Sequence, residues 1–116
     1  MATTPFTQDD FEQLSGSTGI TLIDFWADWC MPCHRFAPIY EKVSEQHPDI
    51  TFAKVDTEAE QELAMQLGIV SIPTIMLIRD GVLVFQHSGM LPENLLENVI
   101  TQAEELDMDE VRAKAS

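Results

Sequence analysis

Apolar residues gather in short runs along this chain, and their spacing sets the expected elements. Positions 20–26 are apolar almost throughout, as a strand covered on both faces should be, and Asp24 interrupts them. Over 33–46 the period lengthens: Cys33, Phe36, Ala37, Tyr40 and Val43 share one helical face, opposite Arg35, Lys42 and Glu45. Ile39 falls nearer the polar side and is expected to meet a second element. Tyr40, if buried, needs a partner for its hydroxyl. Pro38 inside this segment should kink the helix and free the carbonyl of His34. Strands are expected at 50–56, 74–79 and 82–87, the last two around Asp80-Gly81, a two-residue hairpin signal.

Helix boundaries carry their own marks. Thr7 is a cap with Asp10 three residues on, and Phe6 and Phe11 are spaced as a hydrophobic staple; that helix should end near Ser15-Gly16. Thr57 and Glu60 have the spacing of a capping box for a helix that carries Leu63 and Leu67 and closes at Gly68. Pro92 opens the last helix, behind Leu91 in the cap position, with Leu95, Leu96, Val99, Ile100, Ala103 and Leu106 inward. One domain over residues 1–108 is expected, with 109–116 as a frayed, acidic tail lacking an apolar face. The order β-α-β, then a hairpin and a helix, implies an α/β fold: a central mixed sheet with helices on both faces.

Composition narrows the function. A length of 116 residues with 45% hydrophobic content supports one globular domain. No apolar run is long enough to span a membrane. Residues 1–14 have neither a basic start nor a long apolar stretch, so no secretory signal is expected and the chain is expected to be cytoplasmic. Twenty acids against six bases leave a net charge of −14. Such a chain repels nucleic acid and anionic membrane, whose capture depends on Lys and Arg. The charge serves solubility and favours basic partner patches.

The two cysteines stand together in Trp26-Ala27-Asp28-Trp29-Cys30-Met31-Pro32-Cys33. Two cysteines make no disulfide scaffold, and in a reducing compartment a lone C-x-x-C is more often catalytic or metal-binding. The pair follows a strand and opens a helix. The unpaired N–H groups of a first helical turn carry roughly half a positive charge, which stabilises a thiolate at Cys30. Cys33, three residues on, lies on the same face within disulfide reach. Asp24 sits where an apolar residue would be cheaper, and burial should raise its pKa, which suits a proton acceptor for Cys33. Lys54, on the neighbouring strand, is placed to partner Asp24 and set its charge. Trp29 should cover the thiols, and Trp26 should pack in the core. Met31 is a flexible apolar group for substrate contact. His34, four residues from Cys30 on the same helix face, would favour the thiolate when protonated. His47 and His87 are expected at the surface.

From about Phe6 to Leu106 the chain resembles the thioredoxin family. The resemblance rests on Phe25 through Cys30 with Cys33, on Asp24, on Lys54 within Ala53-Lys54-Val55-Asp56, on Ile72-Pro73-Thr74, and on Gly81 and Gly89. It implies the thioredoxin fold and protein-disulfide reduction, with Cys30 as nucleophile and Cys33 resolving the mixed disulfide. It further implies that Asp24 is the proton acceptor and that a cis Ile72–Pro73 bond lies against Cys30, leaving the Ile72 backbone to pair with an extended substrate. Trp29, Met31, Pro32, Ile72 and Pro73 are then the substrate contacts, with Lys54 and His34 tuning the charge. No cofactor or metal is implied beyond the redox-active disulfide. Electrons would come from an NADPH-dependent flavin enzyme, thioredoxin reductase, to a monomer that carries them to protein disulfides in cell redox homeostasis. The family usually has Gly-Pro between the cysteines and Lys or Arg after them; here Met31-Pro32 and His34 stand in those places.

Other readings compete. Cys30 to His34 satisfies C-x-x-C-H, the pattern of covalent haem attachment. Zinc would need about four ligands, and a second pair is missing. A redox-inert binding module has no use for both cysteines. Within the redox class, a specialised oxidase or isomerase with a dedicated partner is the alternative to a general reductase.

Overall fold

Side chains alternate across a strand, and the strand over 20–26 has something to bury on either side. The computed structural model describes residues 2–115 and places this strand, β2 (Ile20–Trp26), at the centre of one five-stranded sheet. The others are β1 (Thr3–Pro5), β3 (Thr51–Asp56), β4 (Thr74–Arg79) and β5 (Val82–Ser88), in the order β1-β3-β2-β4-β5. β1 and β2 run parallel to β3, while β4 is antiparallel to both β2 and β5. The helices are α1 (Gln8–Glu12, continued by a 3-10 turn over Gln13–Gly16), α2 (Met31–Gln46), α3 (Gln61–Gln66), α4 (Glu93–Glu104) and α5 (Met108–Ala115).

Two cores follow from the alternation. Ile20 and Leu22 join Phe52, Ile75 and Leu77 beneath Phe36, Tyr40 and Val43 of α2 and Leu96 and Ile100 of α4. Ile23 and Phe25 join Val55, Met76 and Ile78 on the opposite face, with Leu14 and Leu63. Asp24 belongs by parity to the first row, so it points toward α2. Ile39 packs at the edge of that core, as its off-stripe position suggested. The Tyr40 hydroxyl donates to the Ala53 carbonyl at 2.8 Å. α2 runs unbroken through Pro38.

The first capping box forms as expected. Thr7 N–H donates to the Asp10 carboxylate at 2.9 Å, Asp10 N–H donates to Thr7 Oγ1, and Phe6 and Phe11 pack on the same core. The second does not. Thr57 turns back to the sheet, where its N–H and hydroxyl both donate to the Trp26 carbonyl, at 2.9 and 3.1 Å. Asp56 takes the following N–H groups of Glu58 and Ala59, and α3 starts at Gln61 with no side-chain cap. The turn after β3 thus claims the donors before the helix begins.

Further expectations are corrected. Pro92 itself is the cap residue of α4, not its first helical residue. Leu95 is exposed, because the buried stripe of α4 runs through Leu96, Ile100 and Ala103. Residues 109–115 form most of a regular helix; Ser116 lies outside the described residues. Asp107 accepts the N–H groups of Asp109 and Glu110 at 3.1 and 3.3 Å, Met108 is buried, and Arg112 donates to the Asp80 carbonyl at 3.3 Å. Nor is this segment acidic: Asp109 and Glu110 open it, Arg112 and Lys114 close it, as the helix dipole favours. His47 and His87 are half-buried, His47 bonded to Glu97 at 2.9 Å and His87 stacked on Phe85. Finally, β1 was absent from the expected elements.

Asp80 and Gly81 turn the hairpin with φ of 51° and 80°, both in the left-handed region. A Cβ on Gly81 would stand 2.7 Å from the Ser15 carbonyl oxygen, whereas one on Gly68, at φ 68°, would meet open space. Gly81→Ala should therefore cost ~3 kcal/mol and Gly68→Ala ~1 kcal/mol, the second being the left-handed penalty alone. Urea unfolding checks this; equal midpoints for the two variants would contradict it.

Candidate active site

β2 ends at Trp26 and hands the chain to a buried Ala27, whose carbonyl accepts the Cys30 N–H at 3.1 Å. This tight turn sets Cys30 in extended geometry (φ −91°, ψ 106°) as the cap residue of α2. Cap residues usually offer a side-chain oxygen to the free N–H groups of the first turn. Here the acceptor is sulfur: Cys33 N–H donates to Cys30 Sγ at 3.2 Å. Pro32 occupies the first turn, where its missing N–H has no helical partner to lose. Cys30 and Cys33 are joined in a disulfide, with Cα atoms 5.2 Å apart, and each is only 3% exposed.

The far wall comes from the loop that leads into β4. The Ile72–Pro73 bond is cis, Pro73 is buried, and the Ile72 carbonyl oxygen lies 3.7 Å from Cys30 Sγ. The Pro73 carbonyl accepts Gly89 N–H at 2.7 Å, which anchors this loop to the end of β5. Ala27, Cys30 and Cys33 pack with Trp26 and Ile72 in a small cluster of their own.

Asp24 is 1% exposed, and among the described residues neither carboxylate oxygen has a hydrogen-bond partner. Burial pushes its pKa from 3.8 up to about 7, against a smaller downward pull from Lys54. Its charge also acts on Tyr40, whose pKa stands well above the ordinary value through burial first and Asp24 second. Lys54 faces Asp24 across the β2–β3 register. Its Nζ, however, lies over the Trp26 ring, 4.9 Å from the centroid, so it acts on the carboxylate through space and not through a bond.

The rim is exposed and largely apolar. Trp29 is 68% and Met31 61% exposed, and Pro32 is also at the surface. Trp29, Ile69, Val70 and Ile72 line a cleft of about 230 Å³ beside the disulfide. His34 bonds the Asp28 carbonyl through Nε2 at 2.6 Å and meets Trp26 edge-on, tying the turn that carries Trp29 to the start of α2. With both sulfurs bonded to each other and His34 engaged by Asp28, the C-x-x-C-H run has a use other than haem attachment. One partner carried no signal in the sequence: Glu58, whose carboxylate accepts the Trp29 indole N–H at 2.7 Å. It is a surface acid in a turn, with no periodicity to mark it. Among the described residues, no cluster of three or more His, Cys, Asp or Glu could hold a metal ion.

Of the residues singled out for the site, Trp29, Cys30, Met31, Pro32, Cys33 and His34 lie at the turn from β2 into α2. Ile72 and Pro73 precede β4 with the Ile72 carbonyl against Cys30, and Asp24 and Lys54 stand opposite one another on β2 and β3. A buried disulfide at a helix start, with an apolar rim and a buried acid of raised pKa on the strand that leads into it, can exchange thiols for disulfides. Comparisons with known proteins agree. The family model described as Thioredoxin matches residues 2–102. A candidate thioredoxin 2 of Streptomyces coelicolor is 53% identical over 111 residues, covering 96% of this chain and 83% of that protein. A thioredoxin of Alicyclobacillus acidocaldarius is 40% identical, covering 83% of this chain and 92% of that protein. The solved structure of a thioredoxin variant from Halobacterium salinarum superposes with a TM-score of 0.79 at 32% identity, covering 90% of this chain and 92% of that chain.

Asp24 sets a pH dependence of stability. Its pKa is higher folded than unfolded, so the folded state holds the proton more tightly. Stability is therefore greatest below about pH 4 with respect to this group, falls as pH rises toward 7, and stays low above. Between 3.8 and about 7 the charge accounts for about 4 kcal/mol at most. Asp24→Asn should raise the unfolding free energy at pH 8 and leave it nearly unchanged at pH 4. Denaturant titrations at both pH values check this; an equal gain at both would show that the effect is not ionisation.

Proposed function

Because the chain belongs to the thioredoxin family, thiol–disulfide oxidoreductases that reduce protein disulfides, we propose that Cys30 is its nucleophile, Cys33 its resolving thiol and Asp24 the proton acceptor between them. The observation that carries this reading is Cys30 Sγ in the cap position of α2, accepting the Cys33 N–H.

In the reduced protein, the Cys30 thiolate attacks one sulfur of a substrate disulfide. A Cys30–substrate bond forms, the substrate disulfide breaks, and one thiolate leaves. Asp24, with a pKa of about 7, is substantially ionised at neutral pH and takes the proton of Cys33. The Cys33 thiolate then attacks Cys30 Sγ, expels the second substrate thiolate and closes the Cys30–Cys33 disulfide. Two electrons pass to the substrate. Substrate docks on the apolar rim of Trp29, Met31 and Pro32, with its backbone extended beside Ile72 and Pro73, adding a strand-like segment. Lys54 holds the Asp24 pKa down and so keeps an acceptor available. The oxidised chain is recharged by an NADPH-dependent flavoprotein reductase, in the cytoplasm, and works as a monomer.

Cys33→Ser tests the division of roles. Exposed to an oxidised protein substrate, it should accumulate a stable mixed disulfide on Cys30, seen as an adduct on non-reducing gels and by mass spectrometry. No adduct, or one that resolves as fast as in the wild type, contradicts the assignment. The equilibrium reduction potential of the pair tests direction: a value far above the cytosolic glutathione poise would assign net oxidation of partners instead.

A further inference from the structure

In the disulfide state, the sulfur that solvent reaches at this site is not a cysteine's. Cys30 and Cys33 are buried and bonded to each other, whereas Met31 between them is 61% exposed. It is the first residue of α2, directly after the nucleophile, on the rim where substrate must settle. A thioether there is an apolar contact and also an oxidisable atom.

We propose that Met31 is a modification site: a peroxide converts its thioether to the sulfoxide, and the modified chain docks disulfide substrates more weakly. The proposal rests on Met31 as a substrate contact in the reading above. The step balances simply. The sulfur attacks one oxygen of hydrogen peroxide, an S–O bond forms, the O–O bond breaks, and the other oxygen leaves as water with both protons. Met31 sulfur loses two electrons and the peroxide gains them. Thiols would normally react first, but here they are already paired with each other. The sulfoxide places a strong dipole where substrate contact would otherwise remove water from an apolar group.

The molecule supplies internal comparisons. Met65 is 81% exposed but sits on α3, not beside the disulfide at the start of α2, and Met76 is buried in the sheet. The disulfide form is treated with hydrogen peroxide, quenched with catalase and mapped by peptide mass spectrometry. KM and kcat for insulin reduction are then measured with dithiothreitol as electron donor. Met31→Leu and Met65→Leu are run in parallel, each compared with its own untreated sample. Met31 and Met65 should each gain one oxygen while Met76 does not. Treated wild type and treated Met65→Leu should lose about fourfold in kcat/KM, mainly through KM, the effect of losing one buried methylene-sized contact. Treated Met31→Leu should keep its own untreated value. Methionine sulfoxide reductase with dithiothreitol should restore the wild type, the sulfoxide oxygen leaving as water. The proposal is overturned if Met31 stays unmodified while Met65 reacts, if the Met31 sulfoxide protein keeps full kcat/KM, or if Met31→Leu loses as much as the wild type. If the untreated chain fails to accelerate insulin reduction over dithiothreitol alone, the exchange reading itself falls, and the proposal with it.

Discussion

A sulfur fills the place at the start of α2 that a serine or aspartate oxygen more often takes. The Cys33 N–H points at Cys30 Sγ, and the rest of the helix stands in line behind it. The strand, the turn and the helix packing around it hold that alignment. β2 brings the chain up through the middle of the sheet, paired on both sides, so its end point is rigid. Ala27 and the turn to Cys30 leave no slack between strand and helix. α2 is then fixed along its length by Phe36, Tyr40 and Val43, and any shift of that packing would move the sulfur.

Asp24 shows what the site demands of the core. It stands in the same row as Ile20 and Leu22, where a leucine would have been the stabilising choice, and its carboxylate has no bonding partner among the described residues. Burial keeps its pKa near neutrality, where a carboxyl can both take and return a proton. Lys54 limits that rise from across the strand pair without forming a salt bridge that would lock the charge in place. Stability is given up at this position for a carboxyl that titrates near pH 7, as the proposed role of proton acceptor requires.

Much of this was legible in the amino-acid order, for identifiable reasons. β2, the face of α2 and the Asp80-Gly81 hairpin are governed by local periodicity and by turn chemistry that few residues satisfy. Asp24 stood out because a charge inside an apolar strand is expensive. The illegible parts are those decided by competition or by contact at a distance. β1 is three residues with little apolar content, defined only by its pairing with β3. Thr57 had the right spacing for a cap, but the Trp26 carbonyl, thirty-one positions away, claimed its hydroxyl. Glu58 matters only because Trp29 arrives beside it. α5 lacks an apolar stripe and is held by the buried Met108 and by Arg112, which reaches the Asp80 carbonyl 32 positions back.

The central claim is that the start of α2 keeps Cys30 ionised once the disulfide is opened. It is tested most directly by the rate at which the reduced protein is alkylated by iodoacetamide at Cys30, followed across pH with the Cys30 adduct identified by mass spectrometry. The rate should reach half its maximum well below pH ~8.5, the value of a free thiol. A midpoint at or above that value would mean that the helix does not hold the charge, and that the alignment of strand, turn and helix does not activate this sulfur.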